Sequence, residues 1–340
     1  MKTNNHIIDT NQVTGNILVV LPKFLGDAVN CTPSLQLLKK LYPKQKIILL
    51  VRPNLAEMFK REQSYSVIID ERFNNTSNVS IFSLAKILQT ANIQLAILMR
   101  NSLSEAVLCF LAHIKFRVGY AKNGRSPLLT HKLKLNPNHH YIYRYCRLVN
   151  ECHGSPFNTI PNTELFSNET TLINVHNKKN IGIYFGGTNK SHRHYPHDLA
   201  NQAINQIAEN SKECFFYILG DSNEQQEAQQ LASSLAESNI TTKVLAAKTS
   251  ITELIDCISH LDLLITIDSG PMHIAAAVGT PFVAVVGLGT SPWSIVAPKA
   301  TNHVAVVANG FQLNEDDIIQ AIRPTEVANA ALTLLSATRS

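Results

Sequence analysis

The segment LLITIDSGPMHIAAAVGTP, residues 263–281, decides the fold class of this chain of 340 residues. It predicts a buried strand over Leu263–Ile267, a turn at Gly270, a small-sided helix and a second apolar strand over Phe282–Val286. Proline at position 271 suits the first turn of a helix, where its missing N–H is not needed. The free N–H groups and the positive dipole end of such a helix favour an anion such as a diphosphate. The segment alone indicates an anion site at a helix start and nothing more.

The same alternation of strand and helix extends through the rest of the chain. Predicted strands cover residues 16–21, 46–51, 67–69, 95–99, 116–119, 180–185, 214–219 and 243–246, besides the two already given. Predicted helices run from Thr32 or Ser34 to Pro43 and cover residues 81–91, 104–112, 197–209, 224–237, 252–260, 272–278 and 325–335. Such alternation indicates α/β structure with parallel, doubly wound sheets.

The alternation pauses at residues 153–179, which are rich in Asn, Thr and Pro and have weak periodicity. We therefore expect two Rossmann-like domains, residues 1–160 and 161–340, with a cleft between them. The closing helix could pack back on the first domain.

Composition and terminal sequence indicate a soluble protein. Hydrophobic residues make up 45% of the chain and charged residues 16%. The chain has no run of eighteen apolar residues, and its polar N-terminus has no apolar signal core. We therefore expect a cytoplasmic protein without a membrane span.

The six cysteines do not predict a metal site. Cys146, Cys152 and His153, even with His139 and His140, do not match the spacing of zinc ligands. We expect reduced thiols, no bound metal and no cofactor.

Charge divides unevenly between the two halves. Residues 1–170 hold 20 Lys and Arg against 10 Asp and Glu, a net of +10, and residues 171–340 hold 10 against 15, a net of −5. The first half should therefore face an anionic partner. Nucleic acid is not expected, because the basic residues form no tract interleaved with aromatic residues. A phosphorylated lipid or a membrane surface fits the pattern.

The segment PKFLGD, residues 22–27, follows the opening strand and is predicted to be a loop. Ligands of open α/β sheets gather at the carboxyl ends of the strands, so Asp27 could take a proton from a sugar hydroxyl there. Asp27 could equally well only cap the following helix. A single glycine does not make a dinucleotide fingerprint, which argues against an NAD enzyme.

The segment FGGTNKSHRHYP, residues 185–196, follows the first strand of the second half. Its two glycines, Thr188, Lys190 and Arg193 would suit a phosphate-bearing ligand. In isolation, an ordinary polar loop is the simpler interpretation.

Together these motifs resemble the heptosyltransferase family of bacterial lipopolysaccharide synthesis, glycosyltransferase family 9. The resemblance rests on LGD at 25–27, Thr32-Pro33, Tyr42-Pro43, and DSGPMH at 268–273 followed by Gly279-Thr-Pro281. Weaker matches are Asn101-Ser102, RVGY at 117–120, LLTH at 128–131, His140 with Arg144, and RHYP at 193–196. The matches run in family order from Asn16 to Leu335 and are most similar to the second heptosyltransferase of the inner core.

The resemblance implies a GT-B fold, an ADP-heptose donor and direct, inverting transfer without a covalent intermediate. The family's base corresponds to Asp27. Its donor-binding positions correspond to Gly187, Thr188, Arg193, Glu224, Asp268, Ser269, Gly270, Pro271, Met272 and His273. The implied acceptor is Kdo-lipid A or heptosyl-Kdo-lipid A at the cytoplasmic face of the inner membrane, with peripheral membrane contact. Acceptor-binding candidates are Lys23, Arg52, Arg100, Asn101, Arg117, Arg125, His140 and Arg144.

The chain departs from the family pattern at two places. Arginine at position 193 stands where the family has a phosphate-contacting lysine, which keeps the charge but changes its geometry. GLGTSP at 287–292 replaces the usual Gly-Pro-Thr-Asp-Pro, which leaves the donor sugar open. Two alternatives remain: a sugar-nucleotide epimerase of the same fold, and a non-catalytic nucleotide-sugar-binding relative.

Overall fold

The computed structural model describes residues 7–73, 79–175, 177–211, 213–289, 291–308 and 314–337. The chain divides into two compact units, Met1–Thr163 and Glu164–Ser340. The division falls inside the irregular segment 153–179. Among the described residues, no helix combines the length and the apolar character needed to cross a membrane.

The first unit is built on a parallel six-stranded sheet. Its strands are β1 (Asn16–Val20), β2 (Ile47–Val51), β3 (Tyr65–Ile69), β4 (Ile93–Leu98), β5 (Phe116–Tyr120) and β6 (His131–Leu133), in the order β3-β2-β1-β4-β5-β6. Its α-helices are α1 (Leu25–Asn30), α2 (Thr32–Leu41), α3 (Ile81–Thr90), α4 (Leu103–Leu111) and α5 (Tyr141–Asn150).

The second unit repeats this topology. Its strands are β7 (Lys179–Tyr184), β8 (Cys214–Ile218), β9 (Thr242–Val244), β10 (Leu263–Ile267), β11 (Phe282–Val286) and β12 (His303–Val307), in the order β9-β8-β7-β10-β11-β12. Its α-helices are α6 (His197–Asn210), α7 (Gln225–Glu237), α8 (Ile251–Ser259), α9 (Gly270–Val278), α10 (Trp293–Val296) and α11 (Pro324–Ala337). Helix α11 packs on α6 and on β10, β11 and β12 of this unit.

The buried strands explain why the sequence forms these sheets. Every residue of β2, β10 and β11 is buried, as expected for strands of a parallel sheet covered on both faces. In each unit the strand order reverses once, between β1 and β4 and between β7 and β10. Ligands of such sheets bind at the carboxyl ends of the strands on either side of the reversal. The predicted motifs at Asp27, at Gly187 and at Asp268 all follow strands at these two points.

The structure corrects the predicted loop at residues 22–27. Helix α1 begins at Leu25, and Asp27 lies in its first turn rather than in a loop. Phe24 stands before the helix in an extended conformation and offers no side-chain cap. A helix of six residues with glycine at its second position gives too short an apolar period to recognise. The short β6 and α10 were missed for the same reason. Helix α5, whose N-cap is His140, and strand β12 were also not predicted.

Candidate functional site

Asp27 lies half-buried at the carboxyl end of β1. Burial raises the pKa of its carboxyl group from 3.8 to about 6, although the positive charges of Arg144 and Lys23 act in the opposite direction. A carboxylate with a raised pKa has a stronger affinity for a proton and is still ionised at pH 7. Asp27 is therefore suited to accept a proton near neutral pH.

Arg144 and His140 lie at the start of α5, and the positive charge of Arg144 interacts with the Asp27 carboxylate. The Arg144 guanidinium donates hydrogen bonds to the backbone oxygens of His139 at 2.7 Å and Pro137 at 2.5 Å, and lies 4.3 Å from the Tyr141 ring centre. The buried His140 Nδ1 accepts a hydrogen bond from the Ile142 N–H and so caps the helix. These contacts fix the positive charge that faces Asp27.

A cluster of arginines follows strands β2, β3 and β4. Arg72 joins Asp70 and Glu105 with contacts of 2.8 and 2.9 Å, and Arg100 bonds Glu105 at 2.8 Å. The Arg52 guanidinium lies 3.9 Å from the centre of the Phe73 ring.

Two nitrogens of this cluster retain donor capacity. The buried Nε atoms of Arg52 and Arg100 have no hydrogen-bond partner within the described part of the chain. Burial, and then repulsion from Arg100, lower the pKa of Arg52. An anion beside these guanidinium groups would offset that repulsion.

Two predicted acceptor-binding arginines donate hydrogen bonds to groups of the protein. Arg125 is fully buried, and its guanidinium donates to the backbone oxygens of Tyr120 and Arg100 and to Asn101 Oδ1. Arg117 donates to the backbone oxygens of Leu128 and Ile114. The prediction that Arg125 contacts the acceptor is wrong, because its side chain is fully buried and its donors bind groups of the protein. Arg125 instead positions the loop that carries Arg100 and Asn101. Arg117 is only partly buried, and its contact with the acceptor stays a prediction.

Glu224 is the buried centre of the polar cluster in the second unit. Its Oε1 accepts from the Tyr184 hydroxyl at 3.1 Å and lies 3.2 Å from Lys190 Nζ, and its Oε2 accepts from the Asp221 N–H at 2.8 Å. The Tyr184 hydroxyl also hydrogen-bonds with Ser269. Tyr184 thus links the two predicted donor-binding segments, a role that the sequence analysis missed. It is the last residue of β7, at the strand-order reversal.

Thr188 is held by a second carboxylate. Its N–H and hydroxyl donate to Glu227, at 3.1 and 2.6 Å. Burial opposes ionisation of Glu227, but these hydrogen bonds lower its pKa overall. Thr188, Glu224 and Glu227 line a cavity of about 310 Å³, together with Gly186, Phe185 and His194. Glu227 was also missed, because a glutamate on a helix is usually solvated.

Asp268 and the start of α9 form the remaining donor segment. Burial raises the pKa of Asp268 to about 6, against the opposing charge of Arg193. Ser269 is the N-cap, and Gly270 and Pro271 occupy the first turn. Met272 is fully buried and His273 nearly so, which means that the Met272 side chain belongs to the core. Met272 can therefore offer a ligand only its backbone N–H.

The segment that departs from the family pattern meets Asp268. A Cβ placed on Gly289 would lie 2.8 Å from Asp268 Oδ2 and 3.0 Å from the Ser291 backbone oxygen, so a side chain there would displace the Asp268 carboxylate. Thr290 of the same segment lies outside the described residues. In the part of the chain that is described, no group of three His, Cys, Asp or Glu could hold a metal ion.

Comparison with known proteins places the chain. The model of glycosyltransferase family 9 (heptosyltransferase) matches residues 81–316. The chain belongs to this family. A lipooligosaccharide heptosyltransferase 2 of Campylobacter jejuni subsp. jejuni serotype O:6 is 28% identical over 284 residues, which are 82% of this chain and 84% of that protein.

Solved structures agree in fold. E. coli ADP-heptose LPS heptosyltransferase II gives a TM-score of 0.83 at 20% identity, covering 96% of this chain and 100% of that one. An E. coli heptosyltransferase solved with ADP-2-deoxy-2-fluoro heptose gives a TM-score of 0.71 at 17% identity, covering 96% of this chain and 100% of that one. The predicted family, the GT-B fold class and the glycosyltransferase class of enzyme are confirmed.

Proposed function

We propose that this family 9 glycosyltransferase transfers a heptose from ADP-heptose to the Kdo/heptose inner core of lipopolysaccharide. The observation that carries the proposal is Asp27 at the strand-order reversal of the first unit, with its pKa raised to about 6 by burial. The relative from Campylobacter jejuni supports the same reaction, since it is named lipooligosaccharide heptosyltransferase 2.

In the proposed reaction, an acceptor hydroxyl attacks the anomeric carbon of the donor heptose. The new oxygen–carbon bond forms as the bond from that carbon to the diphosphate breaks, so the configuration inverts and ADP leaves. The Asp27 carboxylate takes the proton of the attacking hydroxyl. No covalent sugar–enzyme intermediate and no cofactor take part.

The donor nucleotide is assigned to the second unit. Glu224 would accept hydrogen bonds from the ribose hydroxyls, and Arg193 would pair with the diphosphate. The start of α9 would add backbone N–H groups and a positive dipole end. Support comes from Tyr184, which joins Glu224 and Ser269 and so ties the ribose and diphosphate segments together.

The acceptor is assigned to the first unit, as Kdo-lipid A or heptosyl-Kdo-lipid A. Arg52 and Arg100, which are both partly exposed, would bind its anionic groups through their positive charges. Lys23, Asn101, Arg117, His140 and Arg144 remain further candidates. The protein would then act in the cytoplasm, in peripheral contact with the cytoplasmic face of the inner membrane.

Nucleotide preference tests the donor assignment. Isothermal titration should show ADP binding more tightly than UDP or GDP, because the family resemblance assigns an adenine nucleotide to these segments. A matched variant, Asp198→Asn on the exposed start of α6, should leave the order unchanged. Preference for UDP, or no binding of any of the three, would overturn the donor assignment.

A further inference from the structure

The outer surfaces of α3 and α4 carry four large, exposed apolar side chains. Phe82 and Ile87 of α3 are 69% and 51% exposed, and Leu103 and Phe110 of α4 are 45% and 51% exposed. We call the surface formed by these four residues and Lys86 the α3–α4 face. Single exposed apolar residues are common, but a group of large ones on adjoining helices marks an interaction site.

The α3–α4 face is fixed by packing on its other side. Leu84, Ala85 and Leu88 of α3, and Ala106 and Cys109 of α4, are buried in the core beneath the sheet. The helices also touch one another, since Gln89 Nε2 donates to the Leu111 backbone oxygen at 2.8 Å. The exposed side chains therefore cannot turn inward without unpacking the unit.

The charges around the face are positive. Lys86 lies within it, Lys115 follows α4 and is exposed, and the Arg117 guanidinium lies 5.6 Å from the centre of the Phe110 ring. Both helices are fully described, and their single acidic residue, Glu105, is buried and paired with Arg72 and Arg100. Exposed aromatic and aliphatic residues among basic ones, without exposed acids, are the features of helices that lie in an anionic membrane interface.

We propose that the α3–α4 face docks on the anionic surface of a phospholipid bilayer. The inference rests on the proposed function, because an enzyme whose acceptor is a lipid needs to work at a membrane. A second copy of the chain fits less well, since an isologous contact would bring two positively charged faces together. Lipid headgroups supply the opposite charge, and the acyl region supplies a place for the phenylalanines.

Cosedimentation of the full chain with vesicles tests the proposal. The wild-type protein should bind vesicles of phosphatidylglycerol and phosphatidylethanolamine and bind weakly to pure phosphatidylcholine. The double variant Phe82→Ser/Phe110→Ser should lower the partition coefficient at least about tenfold, because two aromatic side chains no longer leave water on binding. Lys86→Glu should lower it too, and more so at low salt. Phe166→Ser, an exposed phenylalanine of the second unit, is the matched control.

The same variants should transfer sugar to a deacylated, water-soluble acceptor at the wild-type rate. This separates the two proposals. If the wild type did not transfer sugar to the soluble acceptor, the result would count against the proposed function and not against the docking of the α3–α4 face. Equal vesicle binding by wild type and double variant would overturn the docking proposal. So would equal loss in Phe166→Ser, or a wild-type dimer in light scattering that the double variant dissociates.

Discussion

Replacement of Asp27 by asparagine should lower kcat by about two to four orders of magnitude. Asparagine keeps the size of the side chain but cannot take the proton of the attacking hydroxyl. Affinity for ADP should barely change, because the nucleotide is assigned to the second unit. Thermal melting should stay close to that of the wild type, which shows that lost turnover does not come from unfolding. Near-normal kcat would reduce Asp27 to a residue of the first turn of α1.

The pH dependence of the wild type gives a second measure of the same residue. Burial raises the pKa of Asp27 to about 6, so its basic form is lost as pH falls through that value. kcat/KM should therefore level off above about pH 6 and fall about tenfold per pH unit below it. Asp268 has a pKa raised to about 6 as well, so Asp268→Asn is the control. That variant should keep the inflection, and Asp27→Asn should lose it.

Replacement of Glu224 by glutamine should weaken ADP binding about 10- to 100-fold, from the loss of a charge-assisted hydrogen bond to the ribose. The carboxylate is buried and already oriented by Tyr184 and by the Asp221 N–H. Little entropy is then lost when the ribose binds. The control is Glu237→Gln, which changes an exposed glutamate at the far end of α7, the helix that Glu224 precedes. Its titration with ADP should give wild-type affinity.

Deoxynucleotides test whether Glu224 contacts a ribose hydroxyl. If Glu224 binds a ribose hydroxyl, either 2′-deoxy-ADP or 3′-deoxy-ADP should bind the wild type more weakly and bind Glu224→Gln with little further loss. Additive losses for both deoxynucleotides would show that the carboxylate does not touch the ribose. Its role would then be to hold Lys190 and the Asp221 turn.

The sequence predicted the sheets well because fully buried parallel strands leave continuous apolar runs. Residues 263–267 and 282–286 are examples in which the predicted and observed strands coincide. It failed at α1, whose six residues give no usable period, and at α5, whose cap is the ring of His140. The local sequence pattern determines the buried strands, whereas contacts with other parts of the chain determine α1 and α5.

The site was predictable where a motif follows a strand, as at Asp268, and not where the partners are distant in sequence. A surface position is the normal expectation for Arg125, since arginine is rarely buried without partners. Its partners come from the ends of two neighbouring strands, which the sheet order brings together. The roles of Gly289 and Tyr184 likewise follow from their contacts with Asp268 and Glu224, which are distant in sequence or in a separate motif.

Mass spectrometry and NMR spectroscopy of the reaction product, which give the added mass and the configuration of the sugar, test the central claim most directly. Purified protein, ADP-heptose and an inner-core acceptor should yield an acceptor heavier by one heptose residue, with the new linkage inverted relative to the donor, and one ADP per transfer. Asp27→Asn should yield almost none. Transfer from a UDP-sugar but not from ADP-heptose, retention of configuration, or a heptose epimer without transfer would contradict the account.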